Sequence, residues 1–249
     1  MTVSIGLQLY TLRNELMQDF EGTLRRVAEL GFHGVEFAGY GGYSATDLRA
    51  LIDSLGLKAA ATHVSLDRLR THLDAEIDFM TELGGIALVC PWANTESEQE
   101  WLAIADDLDL AAQACEARGL KLAYHNHAHE ISRRAGSLPV MDALLTRAPR
   151  LHFEIDVAWV YAGGGDPVAY LQEYADRVPL VHLKDVRPKA DTPGEWDTVE
   201  LGAGTVDLQA AMQMAGDAVW WLVEQDHSPH PLASVEASVR YLRAQGVMS

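Results

Sequence analysis

Short apolar runs and longer amphipathic segments alternate along the whole chain, eight times in succession. Several of the apolar runs, such as Ile86-Ala-Leu-Val-Cys90, are almost free of polar residues, which is typical of parallel strands buried on both faces. The pattern predicts strands over residues 3–9, 34–38, 58–63, 86–90, 121–126, 151–156, 179–184 and 219–224.

The amphipathic segments between these runs carry helix start and stop signals. Asp19 is placed to cap a helix that Gly31 ends, and the segment from Ser44 to Leu55 repeats that scheme. A capping box of Thr95 and Glu98 predicts the start of a long helix closed by Gly119. Further helices are predicted over 68–83, 138–147, 166–176, 205–215 and 231–244.

Eight strand–helix alternations without a linker predict one α/β domain over residues 1–249, a single (β/α)₈ TIM barrel. The length matches such a barrel, which has about 250 residues. The sequence has no Gly-x-Gly-x-x-Gly after the first strand and no Walker-type loop, which counts against the nucleotide-binding open sheets. The longest irregular stretch, 186–204, is expected to cover the mouth of the barrel.

Charge and cysteine content narrow the partners and the compartment. The chain has 19 basic and 36 acidic residues and a formal net charge of −17. Such a field argues against nucleic acid or an anionic membrane as partner, while a local basic pocket could still hold a phosphorylated ligand. Cys90 and Cys115 lie in different elements and suggest no disulfide. The start resembles no signal peptide and no apolar run is long enough for a membrane span, so we expect a cytoplasmic protein.

Polar or ionisable residues stand at the carboxyl ends of seven of the eight predicted strands. Because barrel active sites use the carboxyl ends of their strands, we expect these side chains to meet at one mouth. The residues at these ends are Gln8, Glu36, His63, Trp92, His125, Asp156, His182 and Glu224.

Carboxylates and imidazoles without clustered thiolates suit a divalent ion such as Mn²⁺, Mg²⁺, Co²⁺ or Zn²⁺. We expect Asp156, His182 and Glu224 to be metal ligands, and Glu224 also to move protons. The dense run around Tyr-His-Asn-His supplies either His125 or His127 as the fourth ligand or as the general base. The sequence does not set the order between these two histidines.

Other polar residues near the strand ends are expected to surround a substrate. Lys184 lies on the same strand face as His182 and could bind a ketone, carboxylate or phosphate oxygen. Glu36 is either half of a structural ion pair or a substrate contact, and Glu154 is expected to be a buried partner of a ligand. The remaining expectations are substrate contact for His63 and Asp226, pocket walls for Trp92 and Trp159, and a solvated side chain for His129.

Several motifs of the chain are distinctive when taken together. They are Leu7-Gln-Leu-Tyr-Thr-Leu-Arg13, Gly34-Val-Glu-Phe37, Tyr124-His-Asn-His127, Glu154-Ile-Asp-Val-Ala-Trp159 with Gly165-Asp-Pro167, Val181-His-Leu-Lys-Asp185, Leu201-Gly-Ala-Gly204 and Val223-Glu-Gln-Asp226. In these the chain resembles, over its whole length, the xylose-isomerase-like TIM-barrel superfamily of sugar phosphate isomerases and epimerases, in particular a Tyr-His-Asn-His subgroup.

The resemblance implies a metal held by Glu, Asp, His and Glu from the fifth to the eighth strands. The last three carry over to Asp156, His182 and Glu224, whereas the first Glu is replaced, at the position of His125. The change removes one of the two glutamates that serve as acid and base in the epimerases. Glu130 loosely matches a substrate-contacting acid of the epimerase pattern.

These observations favour a metal-dependent isomerase or epimerase that acts on a sugar, keto-sugar or sugar phosphate through an enediolate. A lyase or dehydratase acting on a 3-keto-glycoside or an inosose would share the first step of that reaction. A non-catalytic sugar-binding barrel is the alternative of another class, and a DNA-repair endonuclease is disfavoured by the negative charge. A homo-oligomer is compatible with the resemblance.

Overall fold

A computed structural model describes residues 3–248 as a closed barrel of eight parallel strands surrounded by helices. The strands lie in chain order around the barrel, with the last strand paired to the first. They are β1 Ser4–Gln8, β2 Gly34–Phe37, β3 Lys58–His63, β4 Ala87–Cys90, β5 Lys121–His125, β6 His152–Asp156, β7 Leu180–Leu183 and β8 Trp220–Val223. The predicted TIM barrel is confirmed.

The α-helices pack outside the barrel. They are α1 Arg13–Gln18, α2 Phe20–Glu29, α3 Ala45–Ser54, α4 Leu66–Thr71, α5 Leu73–Leu83, α6 Glu98–Glu116, α7 Ala128–Ser132, α8 Val140–Arg147, α9 Val157–Ala162, α10 Pro167–Glu173, α11 Leu208–Met214 and α12 Pro231–Ala244. Asp19 caps α2 by accepting a hydrogen bond from the amide of Gly22, as predicted.

Two helix predictions were wrong in detail. The segment predicted as one helix over 68–83 is two helices that meet at His72, whose backbone leaves the helical conformation. The long helix α6 is capped by Ser97, whose hydroxyl accepts from the amide of Glu100, and not by Thr95. The Thr95 hydroxyl instead donates a hydrogen bond to the side chain of Glu100, in the first turn of the same helix.

The lower half of the barrel interior is apolar and contains a buried cluster in which Trp220 is the largest side chain. Trp220, at the start of β8, reaches across to β2, where a Cβ added at Gly34 would lie 2.7 Å from the indole. Ala61, Ala87 and Ala123, on β3, β4 and β5, are small members of the same cluster and leave room for this ring. The amino-terminal end of the barrel is therefore packed shut, and polar chemistry is confined to the opposite end.

The stretch 186–204, expected to be irregular, contains an antiparallel hairpin of Asp185–Pro188 with Trp196–Val199. Its base is tied by the buried carboxylate of Asp185, which accepts hydrogen bonds from the amides of Val186, Gly202, Gly204 and Val206 at 2.9 to 3.1 Å. This network explains why the Leu-Gly-Ala-Gly turn directly follows the hairpin. A second, two-residue hairpin joins Arg134–Ala135 and Leu138–Pro139.

Both cysteines are free and buried, in agreement with the expectation of no disulfide. Within residues 3–248, the helices are all too short or too polar to cross a membrane.

Candidate active site

The strand register brings the polar strand ends to one level at the carboxyl end of the barrel. Asp156 on β6 pairs with His182 on β7, while His125 on β5 pairs with Glu154. Glu224 follows β8 and is bonded through its amide to the carbonyl of Leu183. Because alternate residues of a strand share a face, Glu154 lies one layer below Asp156.

The upper layer unites the four residues that the sequence singled out as metal ligands. His125, Asp156, His182 and Glu224 each offer one donor atom, and these atoms all lie within 4.8 Å of one another. The Nδ1 atom of His182 is 2.8 Å from the Oε2 atom of Glu224, and the Nε2 atom of His125 is 3.9 Å from the Oδ2 atom of Asp156. We call these four residues the upper cluster.

A lower cluster lies beneath it and consists of Glu36, His63 and Glu154. The Nε2 atom of His182 is 2.7 Å from Glu36 and 3.2 Å from Glu154, while His63 is 3.0 Å from Glu154. The Nδ1 atom of His125 is 3.4 Å from Glu154. The two histidines thus present one ring nitrogen to each cluster. Carboxylates on the lower side hold the ring orientation and leave the opposite nitrogens facing the upper cluster.

Lys184 supplies the one lysine charge next to the upper cluster. Its ammonium is fully buried, 2.8 Å from Asp156, 2.8 Å from Glu224 and 3.1 Å from Asp226. Burial disfavours the charged amine, yet the three carboxylates outweigh it and raise the pKa of Lys184 well above its usual value. The ammonium therefore orients these carboxylates. Lys184 was expected to contact the substrate, but it lies beneath the cleft and is not among the residues that line it.

Burial sets the direction of the pKa shift at two carboxylates, Asp156 and Glu36, and at two histidines, His125 and His127. It raises the pKa of Asp156 to about 6, and burial together with the neighbouring Glu154 raises the pKa of Glu36 to about 7. Burial, with the charge of His182, lowers the pKa of His125 to about 3. Burial and the nearby His125 lower the pKa of His127 well below its ordinary value, so this imidazole is neutral.

His182 and Glu154 show the opposite shifts because each faces partners of opposite charge. Burial disfavours the charged imidazole of His182, but Glu154, Glu224 and Glu36 outweigh it and raise its pKa well above the usual value. Burial likewise opposes ionisation of Glu154, and His182 and His125 outweigh it, so its pKa falls well below the ordinary range.

The upper cluster fits a divalent metal ion by donor type and by unsatisfied atoms. Among residues 3–248, Oδ2 of Asp156 is buried in this cluster without a hydrogen-bond partner, while Nδ1 of His125 and one oxygen each of Glu36 and Glu154, also without a partner, lie on the side of the lower cluster. Asp156 Oδ2 is near the Lys184 ammonium but outside hydrogen-bonding geometry. Burying a polar atom without a hydrogen-bond partner costs free energy. A donor set of oxygen and nitrogen atoms is one that divalent cations accept.

The clusters open into a cleft of about 1340 Å³ at the barrel mouth. His63, His125, His127 and Glu224 line its inner part. Its other walls come from the loops after the strands and from the hairpin, and include Tyr10, Arg13, Asn14, Trp92, Trp159, Arg187, Lys189, Trp196, Asp197 and Asp226. The stretch 186–204 therefore contributes to the mouth, as expected.

Several predicted site residues lie elsewhere than expected. Glu36 does not contact the cleft as a substrate-binding residue would but fits the alternative of a structural ion pair, since it is fully buried, lies 2.7 Å from His182 and accepts from the side chain of Gln8 at 2.6 Å. Glu130 is fully buried outside the cleft, bonded to the Tyr124 hydroxyl and the His127 amide. These contacts favour structural roles for both. His129, predicted to be solvated, is half-buried and bonded to the carbonyl of Ala93, so that expectation was wrong.

Sequence reasoning missed the outer wall formed by Tyr10, Arg13, Arg187 and Trp196. Tyr10 and Arg13 belong to the motif after β1, whose sequence was distinctive although no role was assigned to it. Arg187 and Trp196 were not predicted to line the cleft because the segment that forms the hairpin was expected to be irregular.

The fold and the site together define the class of protein: an eight-stranded barrel with buried histidines and carboxylates at its mouth. Residues 24–245 match the family model of the xylose isomerase-like TIM barrel. The match covers most of the chain, and the protein belongs to this family.

Characterised relatives share part of this length. The chain is 29% identical over 189 residues to an inosose dehydratase of Geobacillus kaustophilus, covering 66% of this chain and 61% of that protein. The aligned region thus spans about three fifths of that relative.

Solved structures resemble the whole chain. A sugar phosphate isomerase/epimerase from Parabacteroides distasonis superposes with a TM-score of 0.83 at 23% identity, covering 100% of this chain and 96% of that one. The IOLI protein, solved with a bound zinc atom, has a TM-score of 0.77 at 16% identity, with coverage of 98% and 97%. These similarities concern the fold.

Proposed function

We propose that the protein is a metal-dependent lyase that removes water from a polyhydroxylated cyclic ketone, a keto-sugar or an inosose. The observation that carries this proposal is the upper cluster, four buried donors within 4.8 Å of one another beneath an open cleft. The relative named inosose dehydratase supports the reaction type. The isomerase or epimerase favoured by the sequence becomes the second candidate.

The upper cluster would hold the metal through His125, Asp156, His182 and Glu224. A divalent ion bound there would polarise the substrate carbonyl and the neighbouring hydroxyl, which lowers the cost of removing the adjacent proton. Lys184 holds Asp156 and Glu224 in place by contacts of 2.8 Å to each. The lower carboxylates fix the histidine rings and so keep the donor set assembled.

His127 is the residue best placed to move the proton. It lines the cleft next to His125, with 5.0 Å between the ring centroids. In the elimination, the proton on the carbon next to the carbonyl passes to this imidazole. The bond from the following carbon to its hydroxyl then breaks, a carbon–carbon double bond forms, and the hydroxyl leaves with that proton as water.

The second candidate uses the same first step. Glu224 also lines the cleft, so two proton-transfer groups are available to the substrate. If a proton returns to the same carbon from the other face, or to the neighbouring carbon, the outcome is epimerisation or isomerisation without loss of water. Product mass therefore distinguishes the two reactions.

The test is turnover by protein loaded separately with Mn²⁺, Co²⁺, Zn²⁺ or Mg²⁺, using scyllo-inosose and simple ketohexoses as substrates. We expect metal-dependent formation of a product lighter by one water, detected by mass spectrometry and by the ultraviolet absorbance of the conjugated ketone. Asp156→Ala should lower bound metal at least tenfold, and His127→Gln should keep the metal but lower turnover about 10²-fold or more.

The matched control is Asp166→Ala, which removes the cap of α10. This variant should keep both metal and turnover. A product of unchanged mass would establish the second candidate in place of the lyase. Absence of stoichiometric metal, with turnover indifferent to chelators, would refute both enzymatic proposals and leave a sugar-binding barrel.

A further inference from the structure

The cleft is larger than the reaction requires. Its volume is about 1340 Å³, whereas pockets that enclose drug-sized ligands are usually about 300–1000 Å³. A single six-membered ring with its hydroxyls has roughly a dozen heavy atoms and is smaller than such ligands. One ring over the upper cluster would leave much of the cleft unfilled.

The additional space is bounded by aromatic rings. The ring of Trp92 lies 4.8 Å from that of His127, which in turn lies 5.8 Å from that of Trp159. Trp196, from the hairpin, also lines the cleft and packs edge-on against Tyr161 at 5.6 Å. We call the three tryptophans Trp92, Trp159 and Trp196 the aromatic arc, which begins beside His127.

The outermost rings of the cleft are open to solvent. Trp92 is 48% exposed and lies outward of His127, away from the upper cluster. Tyr10 is 41% exposed and is covered by the guanidinium of Arg13, 4.2 Å from its ring centroid. Exposed aromatic surface that continues directly from a reacting centre is typical of a ligand-binding surface.

The polar residues beside these rings favour a neutral ligand. Arg187 lies directly across the hairpin from Asp197, and Lys189 is bonded to Glu195 at 2.8 Å. Both basic residues of the hairpin thus have acidic neighbours, and Arg13, which also lines the cleft, donates to the carbonyl of Tyr10 at 2.8 Å. Among the residues that the structure describes, the lining has four acidic ones, Asp197, Glu200, Glu224 and Asp226, against these three basic ones, which leaves no net positive charge for a phosphate. Flat aromatic faces with both donors and acceptors at their edges suit a sugar ring, which has an apolar face and a rim of hydroxyls.

The geometry points to a second-ring subsite on the aromatic arc, and hence to a two-ring glycoside as the substrate. The reacting ring lies over the upper cluster, and a neutral ring packs against Trp92, with Trp196 and Tyr10 lining the same cleft. This inference rests on the proposed function because it places the reacting ring at the metal centre.

The test compares probes that differ by one ring. Binding to Mn²⁺-loaded protein is measured by isothermal titration calorimetry for methyl β-glucoside against cellobiose, methyl β-galactoside against lactose, and myo-inositol against galactinol. We expect the two-ring member of at least one pair to bind tenfold or more tightly than its one-ring partner. Trp92→Ala should reduce that ratio at least fivefold, while Trp92→Phe, which keeps a flat ring, should retain most of it.

Leu110→Ala provides the matched control, because Leu110 is 67% exposed on α6 and is not among the residues lining the cleft. It should leave every ratio unchanged. Equal affinities within all pairs, or tighter binding of glucose 6-phosphate than of cellobiose, would overturn the subsite even if metal-dependent turnover of an inosose is found. A ratio that depends on Trp92 without metal-dependent turnover would support the subsite and contradict the lyase.

Discussion

Replacement of Asp185 tests whether one buried carboxylate holds the cleft hairpin to the barrel. This side chain is 1% exposed and accepts four amide hydrogen bonds, from Val186, Gly202, Gly204 and Val206. In Asp185→Ala, these amides would lose their acceptor, and those shielded from water would have no replacement. In Asp185→Asn the shape is kept, but one oxygen becomes an NH₂ group that faces other donors.

The expected cost follows from the number and kind of these bonds. A hydrogen bond to a charged group contributes about 1.5–3 kcal/mol, and such contributions add poorly within one network. We therefore expect Asp185→Ala to lower the free energy of unfolding by about 4 kcal/mol, and Asp185→Asn by about 3 kcal/mol. For a chain of this size, each kcal/mol corresponds to about 2–4 °C in Tm, so the alanine variant should melt roughly 8–16 °C lower.

Urea unfolding followed by circular dichroism measures this loss directly. Asp207→Ala is the matched control, because Asp207 is a nearby exposed cap that accepts one amide bond, from Ala210 at 3.0 Å. It should cost about 1 kcal/mol. If Asp185→Ala and Asp207→Ala were equally stable, the four-bond network would not hold the hairpin base, and the reasoning would be refuted.

Three further predictions concern packing and burial. Gly34→Ala should destabilise the protein by about 2 kcal/mol or more in urea unfolding, because its Cβ would clash with the carbonyl oxygen of Lys58 and lie 2.7 Å from the Trp220 ring, and an unchanged midpoint would contradict the packing described. Arg177→Met should lower the free energy of unfolding by about 2–3 kcal/mol, because the guanidinium donates to three backbone carbonyls near the end of α8 and the start of β6. The thiol of Cys90, whose pKa burial raises to about 12, should resist iodoacetamide at pH 8 in the native protein and react in urea, and rapid native labelling would argue against its burial.

The fold could be predicted from sequence because parallel strands buried on both faces leave long apolar runs. The boundary errors have local causes. Nothing in the apolar spacing of 68–83 reveals that the chain turns at His72, and both Thr95 and Ser97 are competent capping residues. The hairpin after β7 was missed because Pro188, Pro193 and Gly194 signal irregular backbone, whereas its pairing depends on contacts across the loop.

The candidate metal residues were predictable because strand ends converge in any such barrel, so Asp156, His182 and Glu224 needed only correct strand boundaries. The depth of a side chain was not predictable in this way. Glu36 and Lys184 occupy strand ends too, yet both are fully buried by neighbours from distant strands. The structure also places both nitrogens of His125 between two carboxylate layers, a detail that depends on ring orientation and leaves no trace in sequence.

The Trp220 ring at the base of the barrel affects how ligands enter and leave the cleft. Because that end of the barrel is filled by side chains, we expect the ligand and any product to enter and leave the cleft through the open mouth of the barrel. A bulky part of the ligand bound at the mouth of the cleft would slow the release of the product formed in the inner part. Departure of the outer part of the ligand would then precede release of the inner part, and the order of product release would follow from the architecture of the barrel.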